Sequence, residues 1–196
     1  MGKPTLVLDL DGTLICARRL KNSSGMGADM VVEGYAVYKR PGLDKFLRDM
    51  AKLYEIVIFS YNYEPYVNGI ADKLDPTGTL ISQRLSRESC PTRSKDLSAQ
   101  AFGRDLARVV WLDDTETAFD KQPGNGLVVP NFMVEMSNGK DSLFEDLRPH
   151  LDAIVANCGE VDVPSALQKI GRIQVRSASG KPWVVRVNQR PERINI

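Results

Sequence analysis

Asp9 and Asp11 stand one residue apart at the end of the apolar run Leu6-Val7-Leu8, and Gly12-Thr13 follow at once. Side chains alternate along an extended strand, so the two carboxylates share a face. Anions held that close repel unless a cation sits between them, and hard carboxylate oxygens suit Mg2+. The chemistry on offer is that of acids gathered around a divalent metal. A plainer reading stands beside it, because Asp and Gly are also common in solvated turns.

Such a pair needs elements to present it. The near-continuous apolar run fits a central parallel strand covered on both faces, and α/β sheets collect ligands at the carboxyl ends of such strands. Two further runs end in polar groups: Glu55-Ile56-Val57-Ile58-Phe59 at Ser60, and Ala107 to Leu112 at Asp113-Asp114-Thr115. Between them Ser94-Lys95-Asp96-Leu97-Ser98 offers a lysine in a polar turn. Taken singly, Ser60 reads as a cap or turn former, Lys95 as a surface lysine and Asp113-Asp114 as an N-cap pair. Their order behind Asp9 and Asp11 is what argues for one site.

The remaining elements follow from periodicity and punctuation. Pro41 opens a helix with Leu43, Phe46, Leu47 and Met50 on its core face, and Glu64 to Leu74 reads as another, closed by Asp75-Pro76-Thr77-Gly78. Cys16 to Glu33, with Asn22-Ser23-Ser24-Gly25, reads as a loop-like insertion, and Thr79 to Leu85 as a small hairpin or flap outside the main sheet. Gln122 to Pro130 reads as turn then strand. Asp141 to Ala156 carries helical spacing, with Pro149 expected to kink or split it.

A chain of 196 residues with net charge +1 is large enough for one substantial core. Strands alternating with helical patterns predict an α/β parallel sheet. The expected organisation is a domain over 1–158 that includes a small β insertion at 79–94, followed by a helix and basic β appendage over 159–196. Beyond Gly171 six basic residues face one acidic, and Trp183-Val184-Val185-Arg186-Val187 suggests a hairpin or arm. A packed appendage with solvated arginines is preferred there over a nucleic-acid contact, since basic runs alone make no nucleic-acid fold.

No run of about 18 apolar residues is present, so no membrane span is expected. The opening strand starts within a few residues of Met1, which leaves no room for a targeting peptide in this sequence. Cys16, Cys90 and Cys158 are odd in number and far apart, a pattern of reduced thiols in an intracellular compartment. The single histidine, His150, falls in a helix and gives the cysteines no partner of the Cys-His kind.

The order Asp9-x-Asp11-x-Thr13, Ser60, Lys95 and Asp113-Asp114 resembles the four signature motifs of the haloacid dehalogenase superfamily. Tyr38-Lys39-Arg40-Pro41-Gly42-Leu43, Leu74-Asp75-Pro76, Arg87-Glu88-Ser89-Cys90 and Gly103-Arg104-Asp105-Leu106 narrow the resemblance to the FCP/SCP group of protein phosphatases, over about Pro4 to Val155. That group includes the Tim50 subunit of the mitochondrial import machinery. Gln122-Pro123-x-Asn125 and Asp162-Val163 are similar to that branch.

The resemblance implies a haloacid-dehalogenase-like α/β fold: a Rossmann-like parallel sheet with helices on both faces, a small β insertion or flap and no large cap. It implies a Mg2+-dependent phosphoserine/phosphothreonine protein phosphatase. In that scheme Asp9 attacks phosphorus to form an aspartyl phosphate, and Asp11 serves as acid and then base. Ser60 and Lys95 bind the phosphoryl group, with Gly12 and Thr13 beside them and the Gly12 amide as a donor. Asp9, Asp113 and the Asp11 backbone carbonyl hold Mg2+, and Asp114 tunes that shell.

The alternative it implies is a Tim50-type import subunit that binds presequences or partner subunits. The phosphatase reading places the chain in the nucleus or cytoplasm, the import reading in mitochondria. Many familiar members of the Tim50 branch lack the two aspartates, whereas Asp9 and Asp11 are both present here, which favours the phosphatase.

Overall fold

In a computed structural model the described residues are 2–22, 25–90, 94–98, 102–137, 140–177, 179 and 181–187. Ser23-Ser24, the Pro91-Thr92-Arg93 connection and the tail's Arg190, Glu192 and Arg193 lie outside them. In chain order the elements are β1 (Thr5–Leu8), β2 (Ile15–Arg19), β3 (Met30–Val32), β4 (Tyr35–Lys39), α1 (Leu43–Leu53), β5 (Glu55–Phe59) and α2 (Glu64–Leu74). They continue with β6 (Ile81–Leu85), β7 (Val109–Asp113), β8 (Gly126–Val128), α3 (Leu143–Ala156), α4 (Val163–Ile170), β9 (Arg172–Arg176) and β10 (Pro182–Val187).

Seven strands form the main sheet in the order β6-β5-β1-β7-β8-β10-β9. The first five run parallel, and β10 and β9 close the end antiparallel. β1 is central, as its apolar run predicts: Leu6, Val7 and Leu8 are fully buried. Leu6 and Leu8 belong to one core with Ile56, Ile58, Val110 and Leu112, while Val7 belongs to a second core with Val57, Phe59 and Trp111. Adjacent residues of one strand thus feed opposite layers, as a doubly covered strand requires.

The two layers are built differently. The buried residues of all four α-helices pack in the first core, including Leu43, Phe46, Leu47 and Met50 of α1. Helices were expected on both faces; among the described residues the second face is covered by Cys90, Leu97, Phe102 and Phe119, which stand outside the α-helices. This covering chain brings in Lys95.

Three expectations need correction. Within the 79–94 segment expected as an insertion, β6 instead pairs in parallel with β5 as an edge strand of the main sheet. Asp75 accounts for this, because its carboxylate accepts from the backbone N–H groups of Thr79, Leu80 and Ile81 at 3.1, 2.8 and 2.9 Å. That turn steers the chain from α2 back into the sheet. The insertion lies earlier, where a loop was expected: β2, β4 and β3 form a separate antiparallel sheet between Asp11 and α1. The described part of segment 159–196 is no appendage either, since Val163 and Leu167 of α4 join the first core and β9 and β10 extend the main sheet.

Pro149 lies inside a continuous α3. Leu147, Leu151 and Ile154 are buried on either side of it. Losing one ladder hydrogen bond does not divide a helix anchored so widely.

Candidate active site

Parallel pairing sets the position of the acids. Leu8 stands opposite Ile58 on one side and Leu112 on the other, so β1, β5 and β7 reach the same sheet edge together. The Asp9 amide continues the ladder, donating to the Leu112 carbonyl at 3.0 Å, and the Ser60 amide donates to that of Leu85 at 3.0 Å. Asp9, Asp11, Ser60, Lys95, Asp113 and Asp114 all line one cleft of about 530 Å3 at that edge. The topology brings together groups spread across more than a hundred positions.

Lys95 is the hub of the charges. Its Nζ lies 2.6 Å from Asp9 Oδ1 and 2.6 Å from Asp113 Oδ2, with all three side chains nearly buried. Burial works against its ammonium, but the two carboxylates overcome that and hold its pKa above the ordinary lysine value. Burial, and then the Asp9 charge, push Asp113 up to about 7. The same two causes raise Asp114.

Asp9, Asp113 and Asp114 each offer a carboxylate oxygen, and these lie within 4.8 Å of one another. Three carboxylates against one ammonium leave a negative surplus at a partly buried site, and oxygen donors of this kind match Mg2+. The residues therefore fit the metal that the motifs imply.

Asp11 is set apart from that cluster. Its Oδ1 accepts from the Tyr66 hydroxyl at 2.6 Å, and the Asn62 side chain also hydrogen-bonds it. Burial is the largest influence on Asp11 and raises its pKa, against those two bonds. The two carboxyls one residue apart thus have different surroundings: Asp9 is held by the Lys95 ammonium, Asp11 by a phenol and an amide.

Gly12 and Thr13, expected beside the phosphoryl group, are not among the residues that line the cleft. The Gly12 amide donates to the Ile15 carbonyl at 2.8 Å, so it is already engaged, and Thr13 is fully buried behind the cleft. Gly12 instead permits a close approach. Its φ is +84°, and a Cβ there would lie 2.4 Å from Asp114 Oδ2 and 2.6 Å from Asn131 Nδ2.

Asn131, which hydrogen-bonds Asp114, was not found from the sequence, nor were Asn62 and Tyr66. The one available signal was Tyr66 on the buried face of α2, because a buried tyrosine hydroxyl needs a partner.

The family model described as NLI interacting factor-like phosphatase matches residues 4–163. The chain belongs to this family. The mitochondrial import inner membrane translocase subunit TIM50 of Phytophthora infestans is 36% identical to this chain over 177 residues, 87% of this chain and 38% of that protein. Human carboxy-terminal domain RNA polymerase II polypeptide A small phosphatase 1 is 35% identical over 161 residues, 78% of this chain and 59% of that protein.

The chain thus spans between about two fifths and three fifths of the length of these relatives. The fold is shared with fission yeast RNA polymerase II CTD phosphatase Fcp1, at a TM-score of 0.57 and 21% identity, over 86% of this chain and 55% of that one. Among the described residues no helix is long and apolar enough to cross a membrane.

Proposed function

We propose that this member of the family is a Mg2+-dependent phosphoserine/phosphothreonine protein phosphatase working through an aspartyl phosphate. The observation that carries the reading is the buried Lys95 bridge between Asp9 and Asp113, set at the mouth of three parallel strands. Such a bridge holds the Asp9 carboxylate still and supplies positive charge where a phosphoryl group would arrive.

Asp9, Asp113, Asp114 and the Asp11 backbone carbonyl would hold Mg2+. When bound, the metal supplies charge neutralisation for the phosphoryl oxygens. Asp9 attacks phosphorus as the seryl or threonyl oxygen departs, and Asp11 gives that oxygen a proton. Asp11 then takes a proton from the water that releases phosphate from Asp9. The Ser60 hydroxyl and Lys95 bind phosphoryl oxygens. Between Asp11 and α1 the described chain inserts a small three-stranded sheet and no larger cap, which suits an open site that admits a loop of a phosphoprotein.

The test is hydrolysis of a phosphoserine peptide by the purified chain. Turnover with Mg2+, abolished by EDTA and by Asp9→Asn, is expected. Activity unchanged in Asp9→Asn would sink the mechanism.

One observation supports a second reading. The match to the TIM50 protein extends over 87% of the chain. On that reading the domain binds presequences or subunits of an import translocase in mitochondria, with the retained aspartates adding hydrolysis. Saturable presequence binding without turnover would favour it, and location of the full-length protein in the nucleus would remove it.

A further inference from the structure

We propose that Tyr66 is a positioning residue for proton transfer: its hydroxyl fixes the Asp11 carboxyl so that Oδ2 carries the proton passed to the leaving oxygen. This rests on the assignment of Asp11 as the acid in the phosphatase reading. The Tyr66 hydroxyl lies 2.6 Å from Asp11 Oδ1, and its ring is 1% exposed. The ring cannot swing freely. Tyr35 of β4 meets it edge-on at 5.4 Å and 74°, and Tyr63 packs at 5.8 Å on another side.

A carboxyl group has two oxygens and, as an acid, one proton. With Oδ1 accepting from a clamped phenol, the proton is confined to Oδ2, and rotation about the Cβ–Cγ bond would break a short hydrogen bond. Asn62, from the β5–α2 loop, adds a second restraint on the same group. In the first step an Asp9 oxygen–phosphorus bond forms, the phosphorus–serine oxygen bond breaks, and the Asp11 Oδ2 proton passes to the departing oxygen. In the second a water oxygen–phosphorus bond forms, the Asp9–phosphorus bond breaks, and Oδ2 takes the water's proton. The Tyr66 proton stays in place throughout. The small β2-β4-β3 sheet thereby acquires a part in the chemistry, because Tyr35 walls in the tyrosine.

The leaving group provides the readout. A seryl oxygen needs a proton as it departs, whereas 2,4-dinitrophenolate needs none. General acids contribute roughly 10²- to 10⁴-fold, so a misaligned one should forfeit a share of that on demanding substrates alone. Tyr66→Phe keeps the ring and is expected to lower kcat/KM, which ends at the leaving-group step and omits the hydrolysis shared by both substrates, by about 10- to 100-fold on a phosphoserine peptide. On 2,4-dinitrophenyl phosphate the expected loss is under about 3-fold, well below any general-acid contribution.

Tyr35→Leu leaves the hydroxyl but loosens the ring, and should give a smaller loss with the same dependence on leaving group. Its measurement also decides the matter if Tyr66→Phe fails to fold. Equal losses on both substrates, or none on the peptide, would overturn the proposal. Asp11→Asn separates the two levels of inference: a loss indifferent to leaving group there would reject Asp11 as the acid, and Tyr66's role with it.

Discussion

Arg40 and Asp141, 101 positions apart, form an ion pair in which neither side chain has exposed surface. Arg40 Nη2 donates to Asp141 Oδ2 at 2.9 Å, and Nη1 donates to the carbonyls of Thr13 and Pro130, each at 3.0 Å. Asp141 Oδ1 also accepts from the Leu143 amide at 3.1 Å, at the start of α3. One guanidinium therefore ties the chain after Asp11 to the segment beyond β8 and to a helix of the first core.

Breaking that pair from one side should be costly. Asp141→Ala leaves a buried cation uncompensated and is expected to lower stability by about 3–5 kcal/mol. The denaturant midpoint would fall at unchanged slope. Arg40→Met with Asp141→Leu should recover much of the loss, since a well-packed apolar pair often replaces a buried ion pair without penalty. Additive losses in the double variant would show that the two groups are not coupled.

Lys95→Met removes the ammonium while keeping most of the side-chain volume. Asp9 and Asp113 then face each other unneutralised, and phosphopeptide turnover should fall by about 10²–10³, the loss expected for one electrostatic contact to developing charge. Thermal scans give a second measure. In EDTA the variant should unfold at a lower temperature than wild type, and saturating Mg2+ should raise its Tm by more. An equal Mg2+ response in both proteins would count against the charge balance described for the cleft.

Gly12→Ala tests the close approach beneath Asp114. The left-handed backbone costs a side chain about 1–2 kcal/mol before any contact is counted. The added methyl must also displace Asp114 or Asn131. The expected result is a lower Tm together with weaker Mg2+ binding by titration calorimetry. A stability loss with full Mg2+ affinity would leave only the backbone effect.

Metal-free protein should lose stability as pH rises. Burial and the Asp9 charge lift Asp113 from 3.8 to about 7, so the folded state holds that proton more tightly than the unfolded chain does. The unfolding free energy then falls with pH across the window from about 4 to about 7. In EDTA, Tm at pH 5 should exceed Tm at pH 8, with the gap narrowed by saturating Mg2+ or by Asp113→Asn. A gap that persists in Asp113→Asn would assign the dependence to other groups.

How much of this was legible depended on how local the information was. The bounds of α2 and the buried stripe of α1 follow from helical spacing and turn residues, and both appear in the structure as read. Asp9, Ser60, Lys95 and Asp113 were legible because each sits beside an apolar strand or in a polar turn between strands. β2, β3 and β4 were missed because their apolar alternation is weak and the sheet exists only through pairing among them. β6 was misread for a related reason. Its parallel partner β5 lies across α2, and the Asp75 turn that delivers it is a network of side-chain-to-backbone bonds. Tyr66 and Asn131 act through contacts with residues 55 and 17 positions away, which no local pattern records.

The central place of β1 also has a consequence for biosynthesis. The strand that leads into Asp9 emerges from the ribosome before either neighbour, and its second partner, β7, ends at Asp113. Until then Leu6, Val7 and Leu8 present an unpaired apolar edge, and non-local parallel pairing of this kind is slow to form and prone to misassociation. The arrangement that assembles the cleft makes its first strand the one most exposed to aggregation while the chain is being made.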